Sequence, residues 1–296
     1  MYVYLNDRIV QRREAVVSVF DHGFLYGDGV YETMRAYDDV VFMLDEHINR
    51  LQSSASMIGL ALPMDTGRMK AAIYDILGAN SLKNAYVRLT VSRGYGPIGL
   101  DPSLCQVPTF VILAEEMKDY PRSFYDKGVR AIISRVRRTP SVAINPRIKS
   151  LNFLNNILAK IDAKDVGAYE AIMLNMAGHI AEGTISNVFF VRDGIVCTPD
   201  TGCGILDGIT RNIVLKLARK EGMMVMEGEF TTDDIYAATE VFVTNTTMEV
   251  MPIRQIDAVL YEVGNVGKFL RGLYREDVRA YVKNIKDHGP SIWEHE

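Results

Sequence analysis

Short strand-like runs and amphipathic helices are interleaved along this chain without the strict strand–helix–strand rhythm of a doubly wound parallel sheet. That irregular order constrains the fold most, and it points to an α+β arrangement in two lobes. Tyr2-Val-Tyr-Leu, Asp7 and Ile9-Val predict a small hairpin. Val40 to Leu44 reads as a strand, and Asp45 is placed to cap a helix whose Leu44, Ile48, Leu51, Ala55 and Ile58 form a buried stripe. Arg68 to Leu77 repeats the helical pattern. Ala85 to Ser92 and Thr109 to Leu113 read as strands around a Gly/Pro-rich loop that starts at Arg93. Further on, Val129 to Val136 is a strand, and Leu154, Ile157, Leu158 and Ile161 mark a helix capped by Asn152. Ile185 to Val191 and Ile195 to Thr198 form a hairpin around Asp193-Gly194. Gly208 opens a helix with Ile209, Ile213 and Leu217 on one face, and Val241 to Thr244 is a strand. Val266, Phe269, Leu270, Leu273, Tyr281 and Ile285 suit a long closing helix.

At 296 residues the chain exceeds the usual size of one core. The polar, proline-containing stretch from Glu115 to Arg122 lacks apolar periodicity, so the expected division is 1–117, a linker over 118–127, and 128–296. With 33 basic against 37 acidic residues there is no positive excess to neutralise a phosphate backbone, which argues against nucleic-acid binding. The longest apolar runs, such as Phe110 to Ala114, are far short of the ~20 residues that span a bilayer. The opening Met1-Tyr-Val-Tyr-Leu-Asn-Asp lacks the pattern of a signal peptide. Cys105, Cys197 and Cys203 form neither a disulfide framework nor a metal-ligand spacing. A cytoplasmic protein without a metal is the expectation.

Metalloprotease, nucleophile-elbow and Walker-type motifs are absent. Lys149, in Pro146-Arg-Ile-Lys-Ser-Leu-Asn, stands out. By spacing alone a solvated turn lysine is the better reading; the functional one is an amine whose pKa is lowered by burial and by Arg147, able to form a Schiff base. Glu182, just before an apolar strand, is either an exposed hairpin residue or the partner of a buried cation. The turn Gly204-Ile-Leu-Asp-Gly-Ile-Thr-Arg feeds a helix start whose free N–H groups and Thr210 hydroxyl suit an anion, or which is simply a surface helix. There Arg211 opposes the helix dipole unless an anion or a carboxylate offsets it. Thr244-Asn-Thr246-Thr247 is a second hydroxyl cluster, or an ordinary polar turn.

Taken in order, these segments resemble the class IV (fold type IV) pyridoxal-phosphate aminotransferases from about Tyr4 to about Tyr274. The resemblance rests on Phe20-Asp-His-Gly-Phe-Leu-Tyr-Gly-Asp-Gly-Val-Tyr-Glu, Glu46-His-Ile-Asn-Arg-Leu, Ile148-Lys-Ser-Leu-Asn, Glu182-Gly-Thr-Ile-Ser-Asn-Val-Phe, Gly208-Ile-Thr-Arg and Asn245-Thr-Thr-Met-Glu-Val. It implies a small N-terminal α/β domain, a larger β-barrel-like domain with helices, pyridoxal 5'-phosphate as cofactor, and a homodimer or a higher assembly of dimers. It also implies that Lys149 carries the cofactor and moves the α-proton, and that Glu182 pairs with the pyridine nitrogen. Arg50, Ile209, Thr210 and Thr246 would bind the phosphate, with Leu206 packed on the ring. Arg50 lies off the apolar stripe of its helix, as a ligand-reaching residue would.

On the substrate side the chain is most like the branched-chain enzymes, at Tyr26, Arg35, Tyr86 and Arg88. Tyr86 and Arg88 are two apart on a strand and so face one side. The resemblance adds Tyr31 as pocket wall, Ile98 and Leu100 as apolar pocket residues, and Thr247, with Tyr26 and Leu100 lent across the dimer. Leucine, isoleucine or valine and 2-oxoglutarate are the implied substrates. D-amino-acid enzymes of this family carry an Arg-x-His pair on the loop after Arg93, which this chain lacks. Thr33, where branched-chain enzymes have glycine, resembles the aminodeoxychorismate lyases, and Phe153 replaces a cofactor-binding tyrosine. D-amino-acid or broad-specificity transamination, lyase activity, and an inactive scaffold are the alternatives.

Overall fold

The computed structural model describes residues 1–289 and divides into two compact units. The first comprises Met1–Lys118, Ile148–Asn152 and, among the described residues, 278–289; the second comprises Asp119–Arg147 and Phe153–Asp277.

In the first unit, β1 (Tyr2–Leu5) and β2 (Arg8–Gln11) form the expected hairpin. The short helix α1 (His22–Tyr26) leads into β3 (Gly29–Tyr37) and the two-residue β4 (Val40–Val41). Then follow α2 (Leu44–Met57), α3 (Thr66–Ala79), β5 (Ala85–Ser92) and β6 (Thr109–Glu116). The six strands pair in the order β2-β1-β6-β5-β3-β4, all antiparallel. Alternation decides the faces. Val30, Met34 and Ala36 of β3 with Val87, Leu89 and Val91 of β5 meet Ile48, Leu51, Ile73 and Ile76 of the two helices in one core. Tyr31, Thr33 and Arg35 lie opposite Thr90, Arg88 and Tyr86 on the other face. Met43, not Asp45, is the residue before α2. Asp45 falls within the first turn and pairs with Lys70, because the strand expected to Leu44 stops at Val41 and the helix starts earlier.

The second unit opens with α4 (Arg122–Lys127), a helix inside the segment expected to be a linker. It continues through β7 (Val129–Ile133), α5 (Leu154–Asp165), β8 (Glu170–Leu174), β9 (Ile180–Gly183), β10 (Asn187–Arg192) and β11 (Ile195–Pro199). After these come α6 (Ile209–Lys220), β12 (Val225–Gly228), α7 (Thr232–Tyr236), β13 (Glu240–Asn245), β14 (Glu249–Ile256), β15 (Val259–Leu260) and α8 (Asn265–His288). A nine-stranded mixed sheet runs β12-β11-β10-β13-β14-β7-β8-β9, with β15 on β14. Its two ends are tied by the Ile180 amide donating to the Phe230 carbonyl at 2.7 Å, so the sheet curls toward closure and its edges are not left open. Asp193 (φ 52°) and Gly194 (φ 76°) turn the β10–β11 hairpin with both residues left-handed, as a type I′ turn requires.

One expectation for α5 needs correction. Asn152 does not cap it; its side-chain amide donates to the Gly27 carbonyl at 3.0 Å, and Phe153 precedes the first turn without a side-chain cap bond. Leu154, Ile157, Leu158 and Ile161 are 46–68% exposed. The buried side is Asn156, Ala159 and Ala163, whose small alanines let the helix approach Ala171 and Met173 of β8.

The expected boundaries also differ from the compact units. Residues 148–152, expected in the second domain, pair with the outer edge of β3. The Leu151 amide donates to Gly29 and the Tyr31 amide to Lys149, at 3.0 and 2.9 Å, with a bridge between Val30 and Ser150. The end of α8 belongs to the first unit too, where the Tyr281 and Phe42 rings meet edge to face at 5.1 Å. No helix among the described residues is long and apolar enough to cross a membrane.

Candidate active site

Lys149 sits on the first unit, held by main-chain bonds. Its amide donates to Ser54 Oγ at 3.1 Å, and its carbonyl accepts from Tyr31. Its Nζ lies 4.8 Å from the centroid of the Tyr31 ring, and the Arg88 guanidinium carbon lies 3.8 Å from the same centroid. One buried aromatic ring is thus shared by an amine and a guanidinium, a cation–π arrangement on both counts. Burial pushes the Tyr31 phenol well above its ordinary range despite the opposing charge of Arg88, so it remains a neutral O–H donor. Arg35 stacks on Tyr37 at 4.4 Å on the same sheet face, with Tyr86 as its cross-strand neighbour. Thr33 faces Arg88 across the ladder. Tyr26, in α1, accepts from the Gly99 amide at 3.2 Å, and His22 Nε2 contacts the Pro97 carbonyl at 2.9 Å. These bonds pin the loop that carries Ile98 and Leu100, which are 75% and 81% exposed in this chain.

Behind the strand, on the core face, lies a group that the sequence reading missed. Glu32 is fully buried and accepts from Arg50 Nε at 2.7 Å and Nη2 at 2.9 Å, while His47 Nδ1 meets its second oxygen at 2.7 Å. The signal was present: Glu32 breaks the apolar series Val30, Met34, Ala36, and His47 lies on the stripe of Leu44, Ile48 and Leu51. Burial would raise the Glu32 pKa, but the charge and hydrogen bonds of Arg50, with His47, hold it well below the usual carboxylate range. Burial pulls His47 down, Glu32 opposes this, and the charges of Arg50 and Lys149 add to it, so the imidazole is neutral.

A group whose folded-state pKa is depressed lets the unfolded chain bind more protons, so stability is lost as pH falls. For His47 the loss begins below about pH 6.5; for Glu32 it begins only in the carboxylate range. Thermal unfolding of the wild type should therefore drop between pH 7 and 5.5, and His47→Asn should flatten that limb. Equal slopes in the two proteins would remove His47 as its source.

In the second unit, Glu182 is buried on β9 and resolves in favour of the buried-cation reading. It accepts from Arg138 Nε at 2.8 Å, from the Leu206 amide at 3.0 Å and from Asn187 Nδ2 at 3.5 Å. Asn187 also donates to the Leu206 carbonyl at 3.0 Å, so Leu206 is fixed through both main-chain groups. Arg138 and Asn187 were not singled out from the sequence. A Cβ at Gly208 would fall 1.9 Å from Asn187 Oδ1, which is why glycine precedes α6. The start of α6 has no side-chain cap; Thr210 there is buried and Ile209 partly so. Arg211 is offset by a carboxylate: Nη2 donates to Glu227 at 2.6 Å and to the Pro199 carbonyl at 2.9 Å. Thr246 and Thr247 lie in the turn between β13 and β14. Asn245 Oδ1 accepts from the Thr247 and Met248 amides there, at 2.9 and 2.7 Å. The Thr247 hydroxyl meets Tyr120 Oη at 3.1 Å. No cluster of metal-ligating side chains occurs among the described residues.

The first unit thus holds an amine and a guanidinium, and the second an ion-paired carboxylate and an uncapped helix start, each a kind of group that a phosphorylated pyridine aldehyde can use. The chain belongs to the class IV aminotransferases: the family's model matches residues 29–256. It is 44% identical over 283 residues to a protein of Methanocaldococcus jannaschii provisionally named a branched-chain-amino-acid aminotransferase, covering 95% of this chain and 97% of that one. A D-alanine aminotransferase of Listeria innocua is 35% identical over 286 residues, covering 96% and 97%. Among solved structures, the branched-chain aminotransferase of the archaeon Thermoproteus uzoniensis with norvaline superposes with a TM-score of 0.89 at 34% identity, covering 95% of both chains. The chain is thus an aminotransferase with the fold of the branched-chain enzymes.

Proposed function

We propose that the protein uses pyridoxal 5'-phosphate to exchange amino groups between L-leucine, L-isoleucine or L-valine and 2-oxoglutarate. The observation that carries this reading is the Arg88 guanidinium stacked on the same Tyr31 ring as Lys149. A cation beside the reactive amine, framed by aromatic rings, is suited to the second carboxylate of glutamate as a bidentate pair. The same aromatic wall leaves an aliphatic side chain in apolar surroundings.

Bound there, the cofactor supplies an aldehyde for the amino group and a pyridinium ring that accepts electron density as the Cα–H bond breaks. Lys149 would hold the cofactor and, once the incoming amino group has freed its Nζ, would take up the α-proton there and return it on the far side of the amino nitrogen. Glu182 holds the proton on the pyridine nitrogen, and Leu206 packs on the ring. Arg50, the Ile209 and Thr210 amides and Thr246 bind the phosphate. Tyr31, Arg35, Tyr86 and Thr247 line the substrate side. The reading includes a homodimer, in which Tyr26, Ile98 and Leu100 complete an apolar pocket and Tyr26 and Leu100 serve the partner copy.

The test is a half-reaction scan of the holoenzyme with single amino acids, following the cofactor's absorption. Wild type should react fast with L-leucine, L-isoleucine, L-valine and L-glutamate. Arg88→Leu should lose about tenfold or more with L-glutamate while keeping L-leucine. Preferential reaction with D-alanine or D-glutamate would overturn the reading in favour of a D-specific enzyme, the activity named for the Listeria relative.

A further inference from the structure

A carboxylate against a phosphate-binding arginine is electrostatically counterproductive, because it cancels the charge that attracts the anion. Glu32 does this from the core face of β3, with its side chain fully buried and that of Arg50 14% exposed. What the pair gains is geometry. The fork engages Nε and Nη2, one edge of the planar guanidinium, and so fixes the plane and the direction of Nη1, which is not a fork donor. His47, one turn before Arg50 on α2, binds the oxygen shared with Nη2 and keeps the carboxylate from rotating out of that plane.

We propose that Glu32 and His47 are positioning residues that aim the Arg50 guanidinium at a phosphate ester. The inference rests on the reading of Arg50 as a phosphate ligand, and it adds that aim, rather than net charge, sets the strength of that contact. The neutral state of the imidazole agrees with it, since a second cation there would compete with Arg50 for Glu32.

The experiment measures dissociation constants of pyridoxal phosphate and of pyridoxal, which lacks the phosphate, on full-length protein freed of cofactor. The ratio of the two isolates the phosphate contact, and a variant that merely loosened the fold would weaken both ligands alike. Glu32→Gln should weaken pyridoxal phosphate about tenfold and leave pyridoxal unchanged. Glu32→Asp, which keeps the charge but retracts the carboxylate, should behave the same way and serves if the glutamine variant does not fold. His47→Asn should give a smaller loss in the same direction. Arg50→Lys is the control. If it leaves the ratio at the wild-type value, the phosphate reading of Arg50 fails and the inference with it. If it weakens pyridoxal phosphate relative to pyridoxal while both Glu32 variants leave that preference unchanged or strengthen it, charge governs the contact and the positioning role alone is overturned.

Discussion

Lys149→Ala should lower turnover with L-leucine by roughly a thousandfold or more, because in the proposed function the same amine holds the cofactor and moves the proton. The fold should survive. Residues 148–152 are held to β3 and Ser54 through main-chain groups, which an alanine retains. Removing the Nζ takes away a cation–π contact with Tyr31, a loss of about 0.5–1 kcal/mol. Circular dichroism and melting should therefore stay near wild type while single-turnover kinetics collapse. Added methylamine or ethylamine should restore part of the rate, as an external base in the emptied space. Turnover near wild type in the alanine variant would sink the assignment of Lys149.

The second large effect is expected at Glu182. Glutamine keeps its shape and its contact with the Leu206 amide but removes the charge opposite Arg138. In the proposed function the pyridine nitrogen would then lose the anion that keeps it protonated, and the ring would accept electrons poorly. The half-reaction with L-leucine should slow about a hundredfold or more, with pyridoxal phosphate still bound. Because Arg138 is left without its carboxylate, a modest fall in melting temperature should accompany the loss. Arg138→Leu should slow the same step less, since Glu182 keeps its charge. A Glu182→Gln enzyme with wild-type proton-transfer rates would place the pyridine nitrogen elsewhere.

Much of the architecture was legible where local chemistry decides. β5 spans Ala85–Ser92 as its alternation predicted, and Gly208 precedes α6 as expected. The candidate site was legible from motifs, in the sense that Lys149, Glu182 and Thr210 are each partly or fully buried rather than solvated. The partners of those residues were not. Arg138 is 44 residues from Glu182, and Glu32 is 18 from Arg50, separations that no periodicity connects. The packing side of α5 was not legible either. Helical spacing marks an apolar face, but whether that face or the alanine face packs on β8 depends on how closely the sheet approaches.

By itself the sequence determined the features that depend on single residues or neighbours. Asp193-Gly194 must turn because both positions adopt positive φ, and Tyr86 and Arg88 must share a side because strands alternate. Only the tertiary structure decided that the Lys149 segment joins β3 of the first unit, that a buried carboxylate grips Arg50, and that Arg211 pairs with Glu227. The physical reason is common to all three. Buried polar and charged groups must find their partners wherever the packed chain brings them, and that is settled by the whole fold.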